Sequence, residues 1–180
     1  MSISVQQADF DAGAEIAALS EGREDIGAVA SFVGLVRGAE KKVDVEKLGV
    51  GDTPRSFESV SGKSTFRTAN EVNNIAAMTL EHYPGMTEKA LAEIVAEAES
   101  RWSLCAVRVI HRIGRLLPGE RIVFVGVAAA HRGDAFAACE FIMDYLKTRA
   151  PFWKKEETPQ GARWVDARDD DETAAARWCR

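Results

Sequence analysis

Short apolar runs separated by turn residues predict most of the strands of this chain. Ile3 and Val5 alternate with polar residues, which is typical of an edge strand. The run GAVASFVGLVR at 27–37 is apolar and partly β-branched, and it predicts a buried strand that ends at Arg37. A Leu-Pro-Gly-Glu turn at 117–120 predicts a hairpin between the strands on either side of it. The further predicted strands are 75–82, 106–113, 121–130, 152–156 and 162–165.

Apolar residues at helical spacing predict three helices. The first covers 12–19 and is capped by Asp11. The second runs from Thr87, as its cap, to Trp102, and its predicted inner face consists of Leu91, Ile94, Val95, Ala98 and Trp102. The third covers 134–148 and ends before Pro151. Its predicted inner face consists of Phe136, Cys139, Ile142, Met143 and Leu146. Because helices and strands do not alternate regularly, the pattern predicts an α+β domain with mostly antiparallel pairing.

Two segments lack these periodicities. Residues 38–74 are rich in Gly, Ser, Thr, Asn and charged residues, and so long a stretch without a pattern is uncommon inside a compact domain. We interpret it as an inserted, flexible surface loop that the fold does not need. Residues 169–180 begin with four acids and predict a solvated acidic tail. The predicted helices and strands, together with the inserted loop, form a single domain over 1–168.

The composition narrows the classes of function. The chain has 180 residues, of which 46% are hydrophobic and 28% charged, an ordinary balance for a globular protein. A net charge of -5 argues against a general nucleic-acid surface. The sequence has neither an apolar run of about 20 residues, as a membrane span needs, nor a secretory signal, so a cytoplasmic location is expected. Three scattered cysteines without a CxxC pair and three dispersed histidines argue against a disulfide scaffold or a metal site, and no cofactor is expected.

A short cationic segment stands out against this acidic background. Residues 147–155, KTRAPFWKK, contain four cations and no acid, which points to a small anionic ligand. Lys147 falls at the margin of the apolar stripe of the third helix, where its amine could act as a nucleophile, a proton donor or an anion anchor. The alternative is a boundary lysine that pairs with Asp144 at i−3.

A second polar cluster joins a strand to the third helix. His131, Arg132 and Gly133 lie at the predicted helix N-terminus, where free N–H groups favour anions, although ordinary connector polarity explains them as well. His111 is expected to be a structural histidine. Trp153 and Trp164 are expected to pack in the core rather than to stack on a flat ligand.

Several segments together resemble the family of large, catalytic subunits of molybdopterin synthase. They are MTLEHYPGMTEKALAEI, VIHRIGRLLPGERIVFVGVAAAHRGDAF, FIMDYLKTRAPFWKKE and GARWVDAR, and the earlier GAVASFVGLVR fits as well. The resemblance covers 26–37 and 75–168, and it implies an α/β-hammerhead type of fold with a mostly antiparallel sheet and flanking helices. The connection after Arg37 is longer than is usual in the family.

The resemblance also implies a reaction and an assembly. Two large subunits form a central homodimer, and each binds one small ubiquitin-like carrier, giving a heterotetramer. Sulfur passes from the carrier's thiocarboxylated C-terminus to cyclic pyranopterin monophosphate, and two transfers make the dithiolene of molybdopterin in molybdenum cofactor biosynthesis. The step requires no metal in this subunit.

The family's essential lysines match Lys147 and Lys154. By resemblance, Lys147 lies beside the carrier terminus, and Lys154 supports the substrate or polarises the reacting centre. Other matching positions belong to the anionic pterin pocket, and these are Arg37, His131, Arg132 and Arg168.

Two other classes of function remain open at the level of the sequence. One is a noncatalytic docking protein for a ubiquitin-like partner, against which the presence of both Lys147 and Lys154 argues. The other is a lysine-dependent Schiff-base enzyme that acts on a phosphorylated metabolite.

Overall fold

The computed structural model describes residues 1–38, 75–165 and 169–179, which form eight strands and four helices. The predicted loop at 38–74, apart from Gly38, and the predicted pocket residue Arg168 therefore lie outside the described residues. In chain order the elements are β1 Ser2–Gln6, α1 Ala12–Ser20, β2 Ala28–Leu35, β3 Ala77–His82, α2 Met86–Arg101, β4 Leu104–Arg112, β5 Gly114–Leu116, β6 Arg121–Ala129, α3 Arg132–Arg149, β7 Phe152–Thr158, β8 Gly161–Val165 and α4 Asp169–Ala176.

The strands form two four-stranded sheets. Sheet A has the order β1-β4-β6-β2, in which β1 pairs parallel to β4 and the other neighbours are antiparallel. Sheet B has the order β5-β3-β7-β8, and its pairs are antiparallel. The predicted α+β class with mostly antiparallel pairing is confirmed, as is the assignment of the first strand to a sheet edge.

Sheet A is covered on both faces, which explains why β6 is apolar at consecutive positions. On one face α2 and α3 pack over Val125 and Val127, whereas α1 packs over Phe124 and Ala128 on the other. Between these two, Gly126 allows the close approach of α1, because a Cβ there would lie 2.5 Å from Leu19 Cδ1. Gly126 thus sets the short distance between sheet A and α1.

The start of α2 differs from the prediction. The N-cap is Gly85 (φ 83°), whose N–H donates to Glu88 Oε2 at 2.7 Å, so Thr87 is not the cap. Thr87 is fully buried; its hydroxyl donates to Pro151 O at 3.1 Å and accepts from Tyr83 N at 3.2 Å. It therefore ties the first turn of α2 to the connection between α3 and β7. The cap of α1 is as predicted, with Asp11 Oδ1 accepting from two backbone N–H groups.

The strand predicted at 27–37 is present as β2, but it is an edge strand, so its predicted burial and its end at Arg37 are wrong. β2 ends at Leu35, and Ala30 is its one buried residue, while Phe32 is 40% exposed and Leu35 54%. Three aromatic residues expected in the core are exposed as well: Phe136, Trp153 and Trp164. Apolar periodicity indicates which face of an element is hydrophobic, but not whether the same chain covers that face.

The C-terminal residues are folded, so the expectation of a solvated tail is wrong for 169–179. They form α4, which packs on α3 and buries Ala175. Beyond it, the Trp178 ring meets Trp102 and Phe141 edge-on at centroid distances of 5.8 and 5.5 Å. Among the helices described, none is long and apolar enough to cross a membrane.

Candidate active site

Lys147 lies in the last turn of α3, beside a groove between this helix and the edge strand β2. The groove has a volume of about 510 Å³. Its walls include Phe32 of β2 and Phe136 and Met143 of α3, which are apolar, and Glu140, which is not. An extended chain or a small ligand in this groove would therefore meet apolar surface along its length and an amine near one end.

The alternative explanation of Lys147, a pair with Asp144, is wrong. The Lys147 Nζ donates to Asp171 Oδ1 of α4 at 3.0 Å. Asp144 Oδ2 instead accepts from Arg177 Nη2 and Trp178 Nε1, each at 2.7 Å. The Lys147 side chain remains 49% exposed, so solvent or a ligand can reach its amine.

Lys154 lies on β7 with a buried carboxylate beside it. Its Nζ is 3.2 Å from Glu156 Oε1, and Glu156 is only 5% exposed. The other carboxylate oxygen, Oε2, lies 3.4 Å from Arg163 Nη2. Since a buried carboxylate requires a cationic partner, Glu156 restrains the position of the Lys154 amine.

The C-terminal end of α3 reaches the end of sheet A at which β6 begins. His111 of β4 pairs with Val123, near the start of β6. The Phe152 ring, at the start of β7, stacks on the His111 ring at a centroid distance of 3.7 Å. The helix therefore returns along β6, and it brings Lys147 and the strand that carries Lys154 to this end of the sheet.

Arg37 belongs to the same end of sheet A. The N–H of Val36 donates to Glu120 O at 2.9 Å, directly before β6, and Arg37 follows as an exposed residue. Three of the predicted site residues thus lie at one end of the sheet, and they are Arg37, Lys147 and Lys154.

His131 and Arg132 lie at the opposite end of α3. His131 is its N-cap residue, Arg132 is its first residue, and both are exposed. Positions 131 and 147 differ by 16 residues, which places their backbones about 24 Å apart along the helix at about 1.5 Å per residue. A single chain therefore does not bring the two predicted groups of cations together.

His111 is a structural histidine, in agreement with the sequence. It is buried, and its Nδ1 lies 2.8 Å from Arg112 O. Because a carbonyl oxygen accepts, Nδ1 carries the hydrogen. Burial lowers the pKa of His111 to about 4, and His82 adds to this effect.

This pKa predicts a loss of stability in mild acid. The unfolded chain takes up a proton near the ordinary histidine pKa of about 6.5, whereas the folded chain resists protonation until about pH 4. Stability is therefore complete above pH 6.5 and decreases as the pH falls through this window, by roughly 2 kcal/mol between pH 7.5 and 5. Urea unfolding at the two pH values should show this loss in the unmodified chain and a smaller one in His111→Phe; equal losses would contradict the assignment.

The buried cysteine of α3, Cys139, offers no activated thiol. Cys139 is buried, and burial raises the pKa of its thiol to about 11, which disfavours the reactive thiolate. Within the described part of the chain no group of three His, Cys, Asp or Glu side chains is arranged to hold a metal ion. The amines of Lys147 and Lys154 are therefore the better candidates for chemistry.

Sequence reasoning missed the two acids that contact these lysines. The contact of Glu156 with Lys154 could have been predicted, because strand alternation places positions 154 and 156 on the same face. The contact of Asp171 with Lys147 could not, since the position of Asp171 depends on how α4 packs against α3.

Comparison with known proteins gives a consistent result. The family described as MoaE protein matches residues 60–149. The molybdopterin synthase catalytic subunit of Ralstonia nicotianae is 56% identical across 98% of this chain and 83% of its own length. That of Pseudomonas aeruginosa is 51% identical across 99% of both chains.

Solved structures share the fold. The molybdopterin biosynthesis MoaE protein from Burkholderia ambifaria aligns with a TM-score of 0.70 and 50% identity, over 99% of this chain and 98% of the other. Molybdopterin synthase from Staphylococcus aureus aligns with a TM-score of 0.67 and 25% identity, over 91% of this chain and 96% of the other.

Proposed function

This chain belongs to the family of molybdopterin synthase catalytic subunits, and we propose from this premise that Lys147 and Lys154 carry its sulfur transfer. The enzyme acts in molybdenum cofactor biosynthesis together with a small carrier subunit. In the proposed reaction the carrier's thiocarboxylated C-terminus is the sulfur donor, and cyclic pyranopterin monophosphate is the acceptor. Each transfer breaks the C–S bond of the carrier terminus and forms a C–S bond on the pterin, while water supplies the oxygen that leaves the carrier with an ordinary carboxylate. Two transfers complete the dithiolene.

The observation that supports this assignment is the position of Lys147 at the groove between β2 and α3. By the family resemblance, the carrier tail ends in two glycines, which have no side chains, so it can enter a narrow groove in an extended conformation. The Lys147 ammonium can then pair with the terminal thiocarboxylate, or its neutral form can attack the terminal carbonyl. Lys154, restrained by Glu156, supports the acceptor.

The separation of the two groups of cations supports a homodimer. One phosphorylated pterin is much shorter than the about 24 Å that separate positions 131 and 147 along α3. A two-fold axis can place His131 and Arg132 of one protomer near Lys147 of its partner, because an isologous interface joins opposite ends of the same surface. The exposed apolar residue Leu35, which does not line the groove, offers surface for such contacts.

The proposed function is tested by reconstitution. The chain, a thiocarboxylated carrier and the pterin precursor should together yield molybdopterin, while a carrier that ends in an ordinary carboxylate should yield none. Carrier binding without product would favour the docking protein instead. Borohydride trapping of a candidate carbonyl substrate on a lysine would favour the Schiff-base enzyme.

Loss of charge in the proposed pterin pocket should weaken substrate binding more than carrier binding. A charge-assisted contact is worth roughly 1.5–3 kcal/mol, so single changes should raise the Kd of the pterin by about ten-fold or more. Titration should show this effect for Arg37→Ala, His131→Ala, Arg132→Ala and Arg168→Ala. Unchanged pterin affinity in all four variants would contradict the pocket.

The assembly should follow the same proposal. The chain alone should be a homodimer, and the carrier should add one copy per subunit to give a heterotetramer. Light scattering at micromolar concentration measures both masses. A monomer that gains no mass with carrier would count against the interface.

The proposal also covers the domain organisation and the cellular location of this protein. We propose a single domain that includes α4, because Ala175 and Trp178 belong to its core, with 38–74 as an insertion, and we expect the enzyme to act in the cytoplasm. The C-terminal residues are best considered with the site itself, because α4 contacts Lys147.

A further inference from the structure

The ion pair between Lys147 and Asp171 joins the proposed catalytic amine to the C-terminal helix. Asp171 Oδ1 accepts from Lys147 Nζ at 3.0 Å, and its side chain is 23% exposed. A lysine side chain has high rotamer entropy, so an amine that is 49% exposed requires a partner to keep it in one position. Asp171 is this partner in the described part of the chain.

Asp171 can hold the amine because the segment that follows it is fixed by several contacts. Arg177 Nη2 lies 2.7 Å from both Glu140 Oε1 and Asp144 Oδ2 of α3. The backbone oxygen of Trp178 accepts from Arg101 Nη1 of α2 at 3.0 Å. Together with the packing of the Trp178 ring, these contacts hold α4 against α3.

The same contacts keep a second carboxylate away from Lys147. Asp144 precedes Lys147 by three residues, a spacing at which helical side chains meet. Its Oδ2 is occupied by Arg177 and Trp178, as the distances of 2.7 Å show. The C-terminal segment therefore decides which of two carboxylates binds the amine.

We infer that Asp171 is a positioning residue for Lys147, held in place by the contacts of Arg177 and Trp178. This inference rests on the proposed function, in which the Lys147 amine acts on the carrier terminus. Asp171 touches neither carrier nor pterin in this role. It limits the orientations of the amine, so that the amine meets the entering terminus from the α4 side of the groove.

The test uses the full chain with thiocarboxylated carrier and pterin precursor. Asp171→Asn removes the charge and keeps the shape, Asp171→Glu keeps the charge, and Glu172→Gln removes a neighbouring exposed charge as the matched control. Asp171→Asn should lower kcat about five-fold, the size expected for a partly exposed ion pair, and leave KM for the carrier unchanged. Asp171→Glu should recover most of kcat, and Glu172→Gln should equal the unmodified chain.

A second measurement does not depend on turnover. Acylation of Lys147 by a small activated ester, followed by peptide mass spectrometry, should be faster in Asp171→Asn than in the unmodified chain. Lys89, an exposed residue of α2 whose Nζ lies 3.9 Å from Glu93, serves as the internal reference. All variants should keep the melting temperature of the unmodified chain, because the contacts of Arg177 and Trp178 are retained.

The outcomes separate the inference from the proposed function. If the unmodified chain makes no molybdopterin, the proposed function fails, and the acylation rates alone decide whether Asp171 holds the amine. If it does make molybdopterin but Asp171→Asn equals it in kcat, the inference is overturned. A lower KM with unchanged kcat would also overturn it, because Asp171 would then merely compete with the carrier.

Discussion

Replacing Lys147 by alanine should lower the rate of molybdopterin formation by roughly 100-fold or more, the usual contribution of a positioned group that transfers protons or attacks the substrate. The folded state should survive, because the side chain is 49% exposed and its contact is a partly exposed ion pair with Asp171. Such a pair contributes about 1 kcal/mol at most to stability. Product formation and thermal unfolding, measured on the same preparation, separate the two effects.

Two further substitutions complete this experiment. Lys147→Arg keeps the positive charge but should also fail, since a guanidinium stays protonated and has a different shape. Lys89→Ala removes an exposed helical lysine that does not line the groove and should leave turnover unchanged. Turnover like that of the unmodified chain in either Lys147 variant would remove the catalytic assignment.

Of the substitutions proposed for this protein, Phe141→Ala should lower the free energy of unfolding the most, by about 3–5 kcal/mol. Its ring is fully buried in α3 and meets Trp102, Tyr145 and Trp178 at centroid distances of 5.3, 4.5 and 5.5 Å. Removal would leave a cavity where α2, α3 and the C-terminal segment join. In a chain of this size the melting temperature should fall by roughly 10 °C.

The matched control lies on the same helix. Phe136 is 66% exposed, so Phe136→Ala should change stability by no more than about 0.5 kcal/mol. Urea unfolding and calorimetry of both variants give the comparison. Similar losses at the two positions would mean that burial of this helix is misassigned.

The sequence predicts elements well where local chemistry determines them. Asp11 as the cap of α1, the turn before β6 and the hairpin of β7 and β8 all depend on residues close in the chain. Whether a distant element covers an apolar face cannot be predicted from the residues nearby in the chain. Phe32 is a large apolar residue of the kind usually found in a core, yet its side chain is exposed because β2 is the last strand of its sheet.

The candidate site shows the same division. Lys147 and Lys154 are evident from a local excess of cations and from the family resemblance. Their contacts with Asp171 and Glu156 are tertiary, and no spacing rule anticipates the first of them. The distance between His131 and Lys147 follows from helix length alone, so the separation of the two groups of cations was available from the sequence.

The parallel pairing of β1 with β4 also sets an order of events during protein synthesis. Ser2 pairs with Arg108 and Gln6 with Arg112, so β1 leaves the ribosome long before its partner strand exists. At about 5–20 residues per second, the wait lasts on the order of 5–20 s. An unpaired strand is a hazard for aggregation, and the short length of β1 and its alternation of serine with apolar residues limit that hazard while the nascent chain is incomplete.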